Sequence, residues 1–141
     1  MAQPSTVRDC MRSHPLTVSP GISLVQAVEI ILENKLTGLT VTDDGGAVVG
    51  ILSELDCLKA TLTTIYNDGD PSHTTVGEAM SRDVSCVSTG DSIVEVAQAM
   101  LDSGQRRRPV IADGKLVGQV SSSNILWALI ENSRRKVVER G

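Results

Sequence analysis

Ser53 and Asp56 are the two side chains whose type and spacing best suit ligand chemistry. They stand three positions apart in segment 50–56, where a predicted strand ends and a predicted helix begins. A carboxylate offers two acceptor oxygens, so it matches a pair of neighbouring hydroxyl donors such as a cis-diol. Backbone N–H groups at the helix start favour a ligand with negative charge. The alternative is that both residues only cap and charge the first helical turn, and the sequence leaves the two interpretations open.

Segment 118–124 repeats this arrangement with one change, because it carries Ser121 and Asn124. An amide has a single acceptor oxygen, so Asn124 satisfies a diol less well than a carboxylate does. Ser121 keeps its hydroxyl. The sequence therefore predicts a weaker second site here, or only the polar start of a helix.

Arg106, Arg107 and Arg108 form the third candidate group, directly before a Pro-Val dipeptide. Guanidinium groups bind phosphate through paired hydrogen bonds. Side chains alternate along a strand, so Arg107 points away from the other two and at most two of the arginines share a face. The alternative role is a charged edge that blocks unwanted strand pairing. Thr37 occupies the corresponding position of the earlier segment without positive charge, so the two sites are not equivalent.

The elements that position these residues occur twice along the chain. A shift of 69 residues places Val7 on Val76 and Met11 on Met80. Ordered matches continue through the second copy, with one extra residue, Gly46, in a turn of the first. Matches in this order indicate an internal duplication.

The duplication predicts the domain organisation and the fold. The first repeat occupies 1–66, a polar linker 67–74 and the second repeat 75–141. Each copy has the pattern of a short helix, a short strand, a helix, a hairpin and a second helix. The predicted fold is α/β (α+β), with tandem repeats that are each a small three-stranded sheet with helices on one face. Because the other face must be covered, we expect the repeats to pack with pseudo-twofold symmetry.

Helix caps and apolar spacing predict the local structure of each copy. Ser23 with Gln26, and Ser92 with Glu95, have the spacing of capping boxes. The helices that follow carry apolar stripes that predict their buried faces, namely Leu24, Val28, Ile31 and Leu32, and then Ile93, Ala97, Met100 and Leu101. The predicted hairpin strands are 39–42 with 47–52, and 109–112 with 115–120.

The order of these motifs resembles the cystathionine-β-synthase (CBS) repeat. Each copy, over 11–56 and 80–124, has a Met, a Ser-x-Gly-x-Ser before a helix, an Asp-Gly turn, a Val-Gly and a final Ser-x-x-Asp or Ser-x-x-Asn. Each motif is loose by itself, but the tandem order is specific. The resemblance implies a two-repeat regulatory module, called a Bateman module, that binds AMP, ADP, ATP or S-adenosylmethionine in clefts between the repeats. Such a ligand would be regulatory and not an obligatory cofactor.

The resemblance also implies roles for individual residues. In the family the Ser hydroxyl bonds ribose or phosphate oxygens, the Asp carboxylate accepts from the ribose hydroxyls, and basic residues before the Pro-Val strand face the phosphates. A cleft combines the Ser-x-x-Asp of one repeat with the first strand and Pro-Val segment of the other. That combination would place Arg106 near Asp56, and His14 and Thr37 near Asn124. The implied ligand-binding residues are Ser53, Asp56, Arg106, Arg107, Ser121, Asn124, Thr37 and His14.

The composition limits the classes of molecule that the chain is expected to bind. A net charge of −4 gives no general attraction to nucleic acid or to anionic membranes, and an aromatic content of 1% offers no stacking platform for bases. No apolar run approaches the roughly 20 residues of a membrane span, and the first ten residues lack a secretory signal. Three widely spaced cysteines fit reduced thiols. We therefore expect a soluble, cytoplasmic protein without a nucleic-acid or membrane partner.

Motifs that carry catalysis are missing from the sequence. It has no P-loop, no H-E-x-x-H and no G-x-S-x-G, so we expect neither an enzyme nor a metal site. The leading hypothesis is a regulatory module that senses an adenosine nucleotide and acts on an unidentified protein partner. The alternative is a protein-interaction or dimerisation module with empty clefts, which Asn124 and Thr40 (in place of Pro) favour. We also expect a homodimer, because the last helix carries apolar residues for an interface, namely Leu126, Trp127, Leu129 and Ile130.

Overall fold

The computed structural model describes residues 6–140, and the chain divides into two compact units. The central unit is the continuous segment Leu16–Val84. The flanking unit joins Met1–Pro15 to Ser85–Gly141. In chain order the elements are α1 (Val7–Cys10), β1 (Arg12–Ser13), β2 (Thr17–Val18), α2 (Leu24–Glu33), β3 (Gly38–Thr42), β4 (Val48–Ser53), α3 (Glu54–Tyr66), a 3-10 turn (Pro71–His73), α4 (Val76–Ala79), β5 (Val87–Ser88), α5 (Ile93–Ser103), β6 (Arg107–Ala112), β7 (Lys115–Ser121) and α6 (Ser122–Arg140).

The compact units are cut differently from the sequence repeats. The central unit includes residues 67–84, which follow the first repeat, and the flanking unit includes α1 and β1, which begin the first repeat. Each unit is thus built from parts of both copies. The boundaries 1–66, 67–74 and 75–141 describe sequence similarity and stay a prediction.

The central unit has the predicted three-stranded sheet, in the order β2-β3-β4. β2 runs parallel to β3, and β3 pairs antiparallel with β4 in a register that sets Val41 opposite Gly50. Helix α2 and the short α4 supply apolar side chains to one core cluster. That cluster includes Leu24, Ala27, Ile31, Leu39, Val41, Leu52, Val76 and Met80.

The flanking unit has one strand more than the prediction, with the order β1-β7-β6-β5. The fourth strand is β1, which pairs antiparallel with β7 so that Arg12 lies opposite Gln119. Sequence similarity to the other copy could not reveal this strand, because the partners lie about a hundred residues apart and the pairing is set by tertiary structure. Its core cluster includes Val7, Val87, Ile93, Val96, Met100, Val110, Val120 and Ile125.

The hairpins are confirmed: β3, β6 and β7 are one or two residues longer than predicted, and β4 has the predicted length but is shifted by one residue. In the first turn, Asp43 Oδ1 accepts from the backbone N–H groups of Gly45 and Ala47, both at 2.9 Å. In the second, Asp113 and Gly114 have φ values of 52° and 76°. Positive φ at both central residues gives a two-residue turn whose twist matches the strands, which explains Asp-Gly at this position.

The caps and stripes of α2 and α5 are only partly as predicted. Ser23 and Gln26 form the capping box, but Ser92 Oγ accepts from the N–H of Val94 at 3.2 Å, so the predicted box with Glu95 is wrong. An N-cap hydroxyl oxygen can accept a hydrogen bond from the backbone N–H of either the second or the third helical residue.

The predicted burial of Leu32 and Leu101 is also wrong, because these side chains are 64% and 78% exposed. Ala27 and Val96 are buried instead. Each helix therefore buries a narrow i, i+3, i+7 face against its sheet, and the fourth residue of each predicted stripe turns towards solvent.

Candidate functional site

The start of α3 holds Ser53 and Asp56 together in a reciprocal pair. The Ser53 backbone N–H donates to Asp56 Oδ2 at 2.9 Å, and the Asp56 N–H donates to Ser53 Oγ at 3.0 Å. Among the residues that the structure describes, Oδ1 of Asp56 has no hydrogen-bond partner. The half-buried carboxylate thus caps the helix through one oxygen and keeps the other as a charged acceptor. Capping and ligand binding therefore do not exclude each other.

The start of α6 has the same capping geometry, but the side-chain group that the cap leaves unbonded is a hydrogen-bond donor and not an acceptor. The Ser121 N–H donates to Asn124 Oδ1 at 3.1 Å, and the Asn124 N–H donates to Ser121 Oγ at 3.2 Å. The single amide oxygen is used in this cap, so the group left over is the NH₂ donor. The sequence predicted a loss of one acceptor at Asn124; in the structure no side-chain acceptor oxygen of Asn124 is left unbonded.

Thr37 and Arg106 lie at equivalent places within their own units. The Glu54 N–H donates to the Thr37 carbonyl at 3.0 Å, and the Ser122 N–H donates to the Arg106 carbonyl at 2.8 Å. Each of these backbone hydrogen bonds joins the residue just before the first hairpin strand (β3 or β6) to the first residue of the helix after the hairpin (α3 or α6). The implied pairs of Arg106 with Asp56, and of Thr37 with Asn124, join residues of different units and stay predictions.

The three arginines are not equivalent. Arg108 Nη2 donates to the Ala99 carbonyl at 3.4 Å and to Ser103 Oγ at 3.2 Å, so its charge lies at the carboxyl end of α5, where a cation is favourable. Arg106 borders a groove of about 480 Å³ between α5 and α6. Arg107 is exposed opposite Ser121 in the β6–β7 register. Of these three arginines, only Arg106 and Arg107 therefore have guanidinium groups without a partner among the described residues.

His14 lies in the flanking unit, exposed, with a φ of 55°. It falls between β1 and Pro15, in the left-handed region that a residue with a β-carbon adopts at a tight corner. No hydrogen bond joins it to Asn124 in the described part of the chain. Its implied contact with a ligand stays a prediction.

Gly50 and Gly118 have a structural role that sequence reasoning missed. A β-carbon on Gly118 would lie 2.7 Å from the Arg12 carbonyl oxygen, and one on Gly50 would lie 2.9 Å from the Ser81 carbonyl oxygen. Only glycine lets these backbones approach so closely. The signal was present in the sequence, since the Val-Gly pair recurs in both copies, but its cause is a packed segment from elsewhere in the chain.

The thiols of the described residues are free and lack the features of nucleophiles. Burial raises the pKa of the Cys57 thiol, and the carboxylates of Asp56 and Glu54 raise it further. Burial also raises the pKa of Cys10 and of Cys86. The thiolate is the reactive form, so these thiols are protonated and little reactive near neutral pH.

The described residues offer neither a metal-binding cluster nor a membrane-spanning helix. Within residues 6–140, no group of three or more His, Cys, Asp or Glu side chains is arranged to hold a metal ion. In that range, no helix combines the length and the apolar character needed to cross a membrane.

Comparison with known proteins identifies the family. The model of the CBS domain matches residues 7–63 and again residues 76–131. This chain belongs to the CBS domain family. The two matches form a CBS pair that spans most of the sequence.

Solved structures of CBS pairs have the same fold. The crystal structure of CBSX2 in complex with AMP has a TM-score of 0.78 and 30% identity, over 90% of this chain and 97% of that one. The CBS domain pair of protein MJ0100, in complex with 5-methylthioadenosine and S-adenosyl-L-methionine, has a TM-score of 0.75 and 26% identity over the same shares.

Among curated relatives, the chloroplastic CBSX2 of Arabidopsis thaliana is 30% identical over 92% of this chain. The chain spans between 42% and 66% of the length of the first curated relatives that it matches. A CBS pair is therefore one part of several longer relatives.

Proposed function

We propose that this CBS pair is a regulatory module that binds an adenosine-containing small molecule, such as AMP, ADP, ATP or S-adenosylmethionine. The observation that carries the proposal is Asp56 Oδ1, a charged acceptor without a partner among the described residues, held in place by the cap with Ser53. The complexes of CBSX2 with AMP and of MJ0100 with two adenosine derivatives support the same ligand class.

In this proposal Asp56 accepts a hydrogen bond from a ribose hydroxyl. Ser53 Oγ already accepts from the Asp56 N–H, so its own hydrogen remains available to donate to a ribose or phosphate oxygen. Arg106 and Arg107 supply charge for phosphates. Ligand binding then stabilises one conformation of the module, and a protein partner responds to that conformation. No catalytic step and no obligatory cofactor is part of the proposal.

We further propose that the module is a cytoplasmic homodimer. On α6, Leu126 and Trp127 are 61% and 60% exposed and Ile130 is also exposed, while Leu129 is half-buried. The Arg134 guanidinium lies 5.6 Å from the Trp127 ring centroid, within cation–π range. An exposed apolar helix face of this kind fits a protein interface. A reducing cytoplasm would keep the three free cysteines unpaired.

A thermal-shift screen with AMP, ADP, ATP, S-adenosylmethionine and adenosine tests the ligand proposal. A ligand at 100 times its Kd stabilises a protein by about 2.7 kcal/mol, and each 1 kcal/mol shifts the melting temperature by roughly 2–8 °C for domains of about this size. We expect at least one adenosine ligand to give a shift of several degrees, while guanosine nucleotides give less. If no adenosine ligand shifts the melting temperature at millimolar concentration, the alternative of an interaction module with empty sites replaces this proposal.

A further inference from the structure

A polar pocket lies between α3 and α4 of the central unit, directly beside Asp56. Its volume is about 470 Å³, which is within the range of small-molecule sites. The polar side chains that line it all belong to the central unit, namely Asp56, Lys59, Thr63, Thr64, Thr74 and Glu78. The pocket therefore adjoins the carboxylate to which the ribose is assigned above, and its lining determines what the rest of a ligand can be.

The threonine hydroxyls of the pocket have already used their hydrogens. Thr63 Oγ1 donates to the Lys59 carbonyl, and Thr64 Oγ1 donates to the Ala60 carbonyl, both at 2.8 Å. Thr64 Oγ1 and Thr74 Oγ1 are also bonded, at 3.3 Å. Because a hydroxyl has a single hydrogen, Thr74 is the donor in this bond. All three hydroxyls can therefore only accept a hydrogen bond from a ligand.

Two carboxylates add further acceptors to the pocket. Asp56 Oδ2 is bonded in the cap with Ser53, and Glu78 Oε1 accepts from Thr75 Oγ1 at 3.2 Å. The second oxygen of each carboxylate has no hydrogen-bond partner among the described residues. Lys59 is the one cation in the lining, and its ammonium forms no ion pair within the same described range. The pocket thus combines many acceptors with a single free side-chain donor and a net negative charge.

This balance of groups disfavours phosphate and favours an amino acid tail. Phosphate oxygens carry negative charge and accept hydrogen bonds, so they would face other acceptors and two carboxylates. An ammonium group supplies positive charge and several donors, which suits the free oxygen of Glu78. A carboxylate beside that ammonium would pair with Lys59. A ligand tail that carries both groups therefore complements the pocket.

The equivalent face of α6 carries different groups. The residues that match Lys59 and Thr63 are Trp127 and Glu131. Glu131 Oε1 is already paired with Arg134 Nη1 at 3.4 Å. The second copy thus folds without this set of acceptors around one ammonium, so the set is specific to the pocket beside Asp56 and is not required by the structure of the repeat.

We propose that Lys59 and Glu78 make the pocket beside Asp56 select adenosine derivatives with a sulfonium amino acid tail, of the S-adenosylmethionine type, over adenosine phosphates. The inference rests on the adenosine site proposed above and names its ligand class. The ribose bonds to Asp56, the tail ammonium to Glu78 and the tail carboxylate to Lys59. With its sulfonium and ammonium groups, this ligand has a net positive charge, opposite in sign to that of the pocket. Arg106 and Arg107 belong to the flanking unit, so they are not among the central-unit groups that make this selection.

Titration calorimetry of the full chain with S-adenosylmethionine, 5-methylthioadenosine and ATP tests the selection. 5-Methylthioadenosine has the adenosine part without the amino acid tail, so it measures binding that does not use Lys59 and Glu78. Two charged contacts with exposed side chains should make S-adenosylmethionine bind roughly tenfold more tightly than 5-methylthioadenosine, and ATP should bind more weakly than both. ATP binding as tight as that of S-adenosylmethionine would overturn the selection but leave the adenosine site in place. Failure of all three compounds to bind would instead refute the adenosine site itself.

Charge-neutralising variants test the two residues separately. Glu78→Gln removes a negative charge, while its amide oxygen can still accept from Thr75. This variant should bind S-adenosylmethionine roughly fivefold more weakly, 5-methylthioadenosine as before and ATP more tightly. Lys59→Gln should also weaken S-adenosylmethionine and leave 5-methylthioadenosine unchanged. The control Glu54→Gln removes the same charge from an exposed position of α3 outside the pocket lining and should change none of these affinities. If both pocket variants bind S-adenosylmethionine like the parent, or lose both adenosine derivatives equally, the assignment of the tail to Lys59 and Glu78 is wrong.

Discussion

The substitution Asp56→Asn tests whether the free carboxylate oxygen binds a ribose. The chain contains its own control for this change, because Asn124 already forms the same cap at the start of α6. The two cap bonds there are 3.1 and 3.2 Å, against 2.9 and 3.0 Å at Asp56. An asparagine at position 56 should therefore keep the local backbone and present NH₂ in place of Oδ1.

The size of the effect follows from the group that is exchanged. A hydrogen bond to a charged group contributes about 1.5–3 kcal/mol, so its loss should weaken adenosine binding roughly ten- to a hundredfold. Loss of the negative charge at the helix start costs about 0.3–1 kcal/mol of folding free energy. The effect on affinity should thus exceed the effect on stability.

Titration calorimetry and thermal melting of the same variants separate the two effects. We expect Asp56→Asn to lose affinity with a small drop in melting temperature, and Asn124→Asp to gain affinity or a second binding event. If Asp56→Asn binds adenosine ligands as tightly as the parent while it melts at a lower temperature, Asp56 is only a cap. The ribose assignment would then be wrong even if the chain binds adenosine elsewhere.

Two further predictions concern the glycine approach and the arginines. In urea denaturation, Gly118→Ala should destabilise the fold by about 1–3 kcal/mol, since its β-carbon would press on the Arg12 carbonyl. The control Gly90→Ala, whose β-carbon meets nothing within 4 Å, should be neutral or stabilising. Equal effects of the two substitutions would show that the close approach at Gly118 does not limit stability. Replacing Arg106 and Arg107 together by Ala should weaken ATP binding more than tenfold and adenosine binding little, whereas an equal loss for both ligands in calorimetry would mean damage to the fold.

The sequence was sufficient for features that depend on neighbours along the chain. The Ser23–Gln26 cap, both hairpins and the helix starts at Ser53 and Ser121 follow from local spacing, and all are present. Features that depend on how one element packs against another were missed. Arg108 of β6 bonds to Ala99 and Ser103 at the end of α5, nine and five residues earlier, and a sequence pattern cannot show which of the three arginines makes such a contact. The sequence likewise could not show which group of the Asn124 amide stays free, and the structure shows that its oxygen is bonded in the cap.

Segment exchange between the copies explains why the repeat occurs as a pair. Val7 is fully buried in the core of the flanking unit, and Val76 in the core of the central unit. A cut in the linker 67–74 would leave each long fragment without one of these valines, and each buried valine contributes about 1.5–3 kcal/mol. The cut would also separate Gly50 from the segment at Ser81, and Gly118 from the segment at Arg12, which these glycines contact closely. Each compact unit therefore needs both copies, and a duplicated chain, not a single repeat, is the smallest length that completes both cores.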